Sequence, residues 1–160
     1  MVTHINILPK ELAQSKIMIK EFDKNKTYNK FVCNNNYIGI LGEIVLHKHL
    51  NNQRKEHVWL YFNKGEKNTT QDPDFIINGQ SIDLKTTTGI DMWTQQPKHD
   101  IYIHAIINKE NTILTLSSFT TKEQIKAMID KDIATTVKRN NNTSYIIPTN
   151  NMIPIEYMNI

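Results

Sequence analysis

The dipeptide Asn78-Gly79, the turn between strands expected at 73–78 and 80–87, constrains this chain more than any other feature. A type I′ turn needs positive φ at both central positions, and Asn-Gly adopts it at little steric cost. A two-residue turn also fixes register. It predicts a hairpin pairing Ile77 with Gln80, Ile76 with Ser81, Phe75 with Ile82 and Asp74 with Asp83. Directly opposed Cβ atoms lie roughly 5 Å apart, and like charges so placed destabilise a sheet unless something compensates. Alternation then puts Ser81, Asp83, Lys85 and Thr87 on one face of the second strand and Ile82 and Leu84 on the other. A hard divalent cation is a natural compensation, since Mg²⁺ binds through one or two carboxylates and keeps several waters. A solvated hairpin face in which Lys85 pairs with an aspartate is the plainer alternative. Ile76, Ile77, Ile82 and Leu84 argue for a buried hairpin, where uncompensated charge is costly.

Around this hairpin the chain reads as alternating structure. Pro9 opens a helix over 9–22. A second helix over 35–50 has apolar residues on several faces, which predicts deep burial. Residues 57–63 are β-branched and aromatic, as are 101–107 and 112–119, which read as a strand pair. Thr120 and Thr121, followed by Glu123 and Gln124, have capping-box spacing for a helix over 120–131. A short strand at 144–147 follows. The 160 residues are expected to form a single domain, 1–160, of α/β (α+β) class: a mixed central sheet flanked by helices.

Composition excludes some chemistry. Cys33 is the lone cysteine, so neither an internal disulfide nor a cysteine-built zinc site is available. His47 and His49 are two apart on a helix and should point apart. His104 is expected to be a satisfied core histidine. The first residues lack a basic n-region before an apolar run, and nothing approaches the ~20 apolar residues of a membrane span. A soluble, cytoplasmic protein is the expectation. A net charge of +3 permits nucleic acid as a partner without demanding it.

At the hairpin the sequence resembles the PD-(D/E)XK, or restriction-endonuclease-like, nuclease superfamily. Pro73-Asp74 is similar to its PD element, and Asp83-Leu84-Lys85 to its (D/E)XK element. The superfamily commonly adds an acidic residue on a preceding helix, and Glu43 in GILGEIVLHKHL fits that place. Gly39 and Gly42 share a helix face with Glu43, and two glycines there suggest a close helix–sheet approach. The plainer alternative for Glu43 is a helix-surface carboxylate paired with Lys48 or Arg54. The resemblance covers roughly residues 35–107. The superfamily usually places a helix after the lysine strand; residues 88–99, interrupted by Pro97, are too short and broken for one.

The resemblance implies a metal-dependent deoxyribonuclease. Asp74 and Asp83 would bind Mg²⁺, with Mn²⁺ as a substitute and the Leu84 carbonyl as a further ligand. Lys85 would position water or stabilise charge, and Glu43 would reach the same metal or help hold a second. DNA contacts would come from Lys48, Arg54, Lys55, Lys64, Lys67, Lys138 and Arg139, with Gln95 or Gln96 near the phosphate; each is also ordinary solvated surface. Trp93 either stacks on a base or fills the core, and the core is the expectation. Cutting both strands would favour a homodimer. The competing readings are a non-catalytic nucleic-acid-binding or assembly protein on the same fold, and an RNA-directed or structure-specific nuclease. The Asn- and Lys-rich composition is what AT-rich coding DNA produces, as in a phage or mobile element.

Overall fold

The computed structural model describes residues 2–24, 37–60, 72–139 and 141–159. Strand β1 (Thr3–Asn6) leads to helix α1 (Pro9–Lys24). Glu11 accepts the Leu8 N–H at 2.8 Å, satisfying a donor the helix leaves open at its start. Helix α2 (Tyr37–Asn52) is buried along nearly its whole length, as its sequence requires, with Leu41, Val45, Leu46 and Leu50 sealed from solvent.

Strand β2 (His57–Trp59) pairs with β3 (Phe75–Ile77), and β3 with β4 (Gln80–Thr87), both antiparallel. The described part of the expected 57–63 strand ends at Leu60, whose N–H bonds the Asp74 carbonyl; 61–63 lie outside the described residues. Asn78 and Gly79 both have positive φ, 50° and 76°, as the turn demands.

Strands β6 (Ile101–Ile107) and β7 (Ile113–Thr121) form the expected antiparallel pair. Helix α3 (Lys122–Asp130) starts on the anticipated capping box. Thr121 accepts the Gln124 N–H, and the Gln124 side chain accepts the Thr121 N–H. The central sheet runs β1-β7-β6-β4-β3-β2, with β10 (Ile153–Pro154) also beside β7. Its β4–β6 pair is parallel, and the other pairs are antiparallel.

A parallel pair needs a crossover. Here no helix supplies it. The connection instead carries β5 (Met92–Thr94), which joins β9 (Asn142–Ile147) and β8 (Thr135–Arg139) in a second sheet, β5-β9-β8. The expected 144–147 strand is therefore the end of a hairpin, and β1, β5, β8 and β10 are additions to the sequence reading.

The two faces of the central sheet carry separate apolar clusters. Leu41, Val45, Leu46 and Leu50 pack with Ile82, Leu84, Ile103 and Ala105 on one face. On the other, Tyr102 packs with Met92, Ile125, Met128 and Ile147 from the small sheet and α3. Gly42 presses against β4, where a Cβ would sit 2.0 Å from the Thr86 hydroxyl oxygen. A Cβ at Gly39 would meet nothing within 4 Å, so close approach explains only one of the two glycines. Among the described residues no helix is long and apolar enough to cross a membrane.

Candidate active site

The hairpin register is the one the turn dictates over three pairs: Ile77 with Gln80, Ile76 with Ser81, Phe75 with Ile82. At the fourth it changes. The Asp74 N–H donates to the Ile82 carbonyl at 2.9 Å, and the Asp74 carboxylate accepts the Leu84 N–H at 2.8 Å. Asp74 is thus buried and anchored to the backbone of β4 outside the regular ladder, and its carboxyl group still neighbours that of Asp83, as the hairpin predicts. A carboxylate accepting a backbone amide is a strong, charge-assisted bond. Leu84 itself turns its side chain into the helix-covered core.

Asp83 and Lys85 share the opposite face of β4, two residues apart, and their side chains bond at 2.8 Å. Burial pushes the Asp83 carboxyl up from its ordinary value of 3.8, and the neighbouring Asp74 carboxylate pushes it further. The Lys85 ammonium works against both without overcoming them. For Lys85 burial alone would lower the pKa; attraction to Asp83, with smaller help from Asp74 and Tyr102, holds it above 10.5. The structure therefore gathers Asp74, Asp83 and Lys85, two carboxyl groups and one ammonium, with burial the largest influence on Asp83.

Glu43 is buried on α2. Its carboxylate accepts the Trp59 indole N–H at 3.0 Å. Trp59 pairs with Phe75 and packs with the α2-side cluster. Among the described residues, no three His, Cys, Asp or Glu side chains are grouped to hold a metal ion.

Parallel pairing places two neighbours at the site: Tyr102, which the sequence reading did not single out, and His104, which it expected in the core. Tyr102 is in register with Asp83, and His104 with Lys85. The Tyr102 hydroxyl accepts the Lys98 and His99 N–H groups at 2.7 and 3.1 Å, tying the loop before β6 to the site. Asp100 fastens the start of β4, accepting both the N–H and the hydroxyl of Ser81.

His104 corrects an expectation. Thr87 donates its hydroxyl proton to the Gly89 carbonyl, so at 3.1 Å it accepts from His104 Nε2–H. That leaves Nδ1 as the bare nitrogen, buried and without a partner. The core histidine is satisfied on one side only, and burial lowers its pKa.

The expected DNA contacts divide. Lys48 pairs at 2.5 Å with Glu11, which is buried, so it serves the helix pair. Arg54, Lys55, Gln95, Lys138 and Arg139 are exposed, as is Gln96, whose side chain accepts the Tyr145 hydroxyl. Lys64 and Lys67 lie outside the described residues. Trp93 does not fill the core; it is 43% exposed, with the Arg139 guanidinium carbon 5.9 Å from its ring centroid. His47 meets His57 at 2.8 Å rather than His49. His57 Nδ1–H faces the Lys55 carbonyl and Asn51 faces His47 Nε2, so the chain of bonds is satisfied with both rings neutral.

Comparison with protein-family models, curated proteins and solved structures finds no match for this chain. The chemistry of its own residues carries the functional reading.

Proposed function

We propose that this protein is a metal-dependent endonuclease that hydrolyses DNA phosphodiesters on a restriction-endonuclease-like core. The observation that carries the reading is the convergence on one hairpin of Asp74, anchored to the Leu84 amide, and the Asp83–Lys85 pair. The donor set fits Mg²⁺ or Mn²⁺: two adjacent carboxylates, with burial opposing the charge that Asp83 would carry without an ion. Asp74 and Asp83 would hold the ion, with the Leu84 carbonyl as a further oxygen donor. When bound, the ion supplies Lewis-acid activation of water and neutralises charge on the phosphate. Lys85, held on the same face by Asp83, is a positioned cation for an attacking water or a developing phosphorane charge. Glu43, on α2 and bonded to Trp59, would reach the same metal through water or help hold a second. Arg54, Lys55, Lys138 and Arg139 offer exposed cations to the phosphate backbone, where contacts position without specifying sequence. Symmetric cutting of both strands calls for a homodimer.

One observation favours a second reading, a non-catalytic nucleic-acid-binding or assembly protein: Lys85 is closed on Asp83, as in a purely structural ion pair. Cleavage of supercoiled plasmid, linear duplex, branched junction and single strands with Mg²⁺ or Mn²⁺ separates the two. The nuclease reading expects cutting that chelation abolishes and that Asp83→Ala and Lys85→Ala each lose while keeping the wild-type circular dichroism spectrum. Cutting unchanged in both variants, or no divalent ion bound by calorimetry, would sink it.

A further inference from the structure

We infer that the outer face of the β5-β9-β8 sheet is a base-stacking surface for single-stranded DNA, built on Trp93 and Arg139. The choice of polymer rests on the nuclease reading; the surface itself stands apart from Asp74 and Asp83. Alternation along β5 turns Met92 and Thr94 inward, where both are buried, and Trp93 outward. Register places Ile146 beside Trp93 and Thr135 beside Ile146. By the same alternation Arg139 shares that outer face.

Core packing does not account for this tryptophan. An indole left 43% exposed keeps a large apolar surface in solvent, and it sits on a face whose neighbours include the small side chains Thr135 and Ser144. The Arg139 guanidinium lies over the ring within cation–π reach, which orders the indole and sets a positive charge beside the surface a base would share. That combination matches what unpaired nucleotides require: a flat π surface for the base and a cation for the phosphate. The charge around it agrees. From residue 133 to residue 155 the chain carries Lys138 and Arg139 and no Asp or Glu. An acidic polymer is drawn to such a hairpin. Duplex DNA would use only the cations, because its base faces are already stacked. β5 also lies in the connection that leaves the strand of Asp83 and Lys85, so strand held here is held by the element next along the chain from the candidate site.

Fluorescence anisotropy with labelled oligothymidylate, in low salt with EDTA so that no cleavage occurs, tests the surface. Wild type, Trp93→Ala, Trp93→Phe and Arg139→Gln are compared, with folding checked by circular dichroism. Trp93→Ala should weaken binding about tenfold, the order of one lost stacked base. Trp93→Phe should restore most of it, Arg139→Gln should weaken it, and duplex of equal length should be indifferent to Trp93. Equal affinity of wild type and Trp93→Ala overturns the inference. So does failure of wild type to bind, or a duplex that loses as much as the single strand. Tighter binding of oligouridylate overturns the assignment to DNA. If plasmid, junction and strand cleavage all fail while binding depends on Trp93, the nuclease reading falls and this surface stands. Cleavage with no role for Trp93 gives the reverse.

Discussion

Asp74 does two jobs that single substitutions separate. Its carboxylate satisfies the buried Leu84 amide, and its charge acts on Asp83. Asp74→Asn keeps an acceptor for the amide and removes the charge, so it should fold nearly as stably as wild type and lose divalent-ion binding. Asp74→Ala leaves a buried donor unmet and should cost roughly 1–3 kcal/mol in urea unfolding. Asp74→Asn should also lower the Asp83 pKa, read by carbon NMR of the carboxyl, because it removes a neighbouring like charge. His104 makes a stability prediction with a definite sign. Its folded pKa lies below the ordinary 6.5 because burial opposes the charged ring, so the unfolded chain binds the extra proton first. Its contribution is complete above pH 6.5 and is lost as pH falls from there through the folded pKa. Thermal scans against pH should show His104→Leu losing less stability than wild type over that acid range.

At the scale of elements, the close seating of α2 on β4 hangs on one missing methyl group. Gly42→Ala drives a Cβ to 2.0 Å from the Thr86 hydroxyl oxygen, so helix or strand must shift. The expected loss is about 1–3 kcal/mol, the range of overpacked cores. Adding Thr86→Ala should recover much of it, a coupling that a double-mutant cycle in urea would register. Gly39→Ala on the same helix meets open space and should stabilise by up to ~1 kcal/mol through helix propensity alone. A Gly39→Ala variant as damaged as Gly42→Ala would mean the helix sits differently on the sheet.

At the scale of the molecule, one central sheet serves two apolar clusters on opposite faces. Neither layer can leave without exposing a face of the same strands, so unfolding should be one cooperative transition. Leu46→Ala in the helix-side cluster and Ile125→Ala in the other should each cost about 2–5 kcal/mol. Both should move the same midpoint, seen alike by tryptophan fluorescence and far-ultraviolet circular dichroism. Two resolved midpoints, with Ile125→Ala moving only one, would show that the β5-β9-β8 layer folds as a separate unit.

The sequence by itself determined whatever depends on neighbours in the chain. Asn78-Gly79 set a turn and three cross-strand residue pairs, Thr121 and Gln124 capped α3, and the apolar surface of α2 required its burial. These follow from steric rules and periodicities that reach only a few residues. Even the grouping of Asp83 with Lys85 was legible, since alternate residues of a strand share a face. Tertiary structure alone decided the rest. The turn of Asp74 toward the Leu84 amide comes from an irregularity that no period encodes. Tyr102 and His104 reach the site through parallel pairing across a connection whose length leaves register open. Glu43 bonds Trp59, and Lys48 bonds Glu11, because of how layers stack. Trp93 faces solvent for the same reason: β5 finds its partner in β9, some fifty residues along the chain, and the orientation of a three-residue strand is fixed only once that partner has bound.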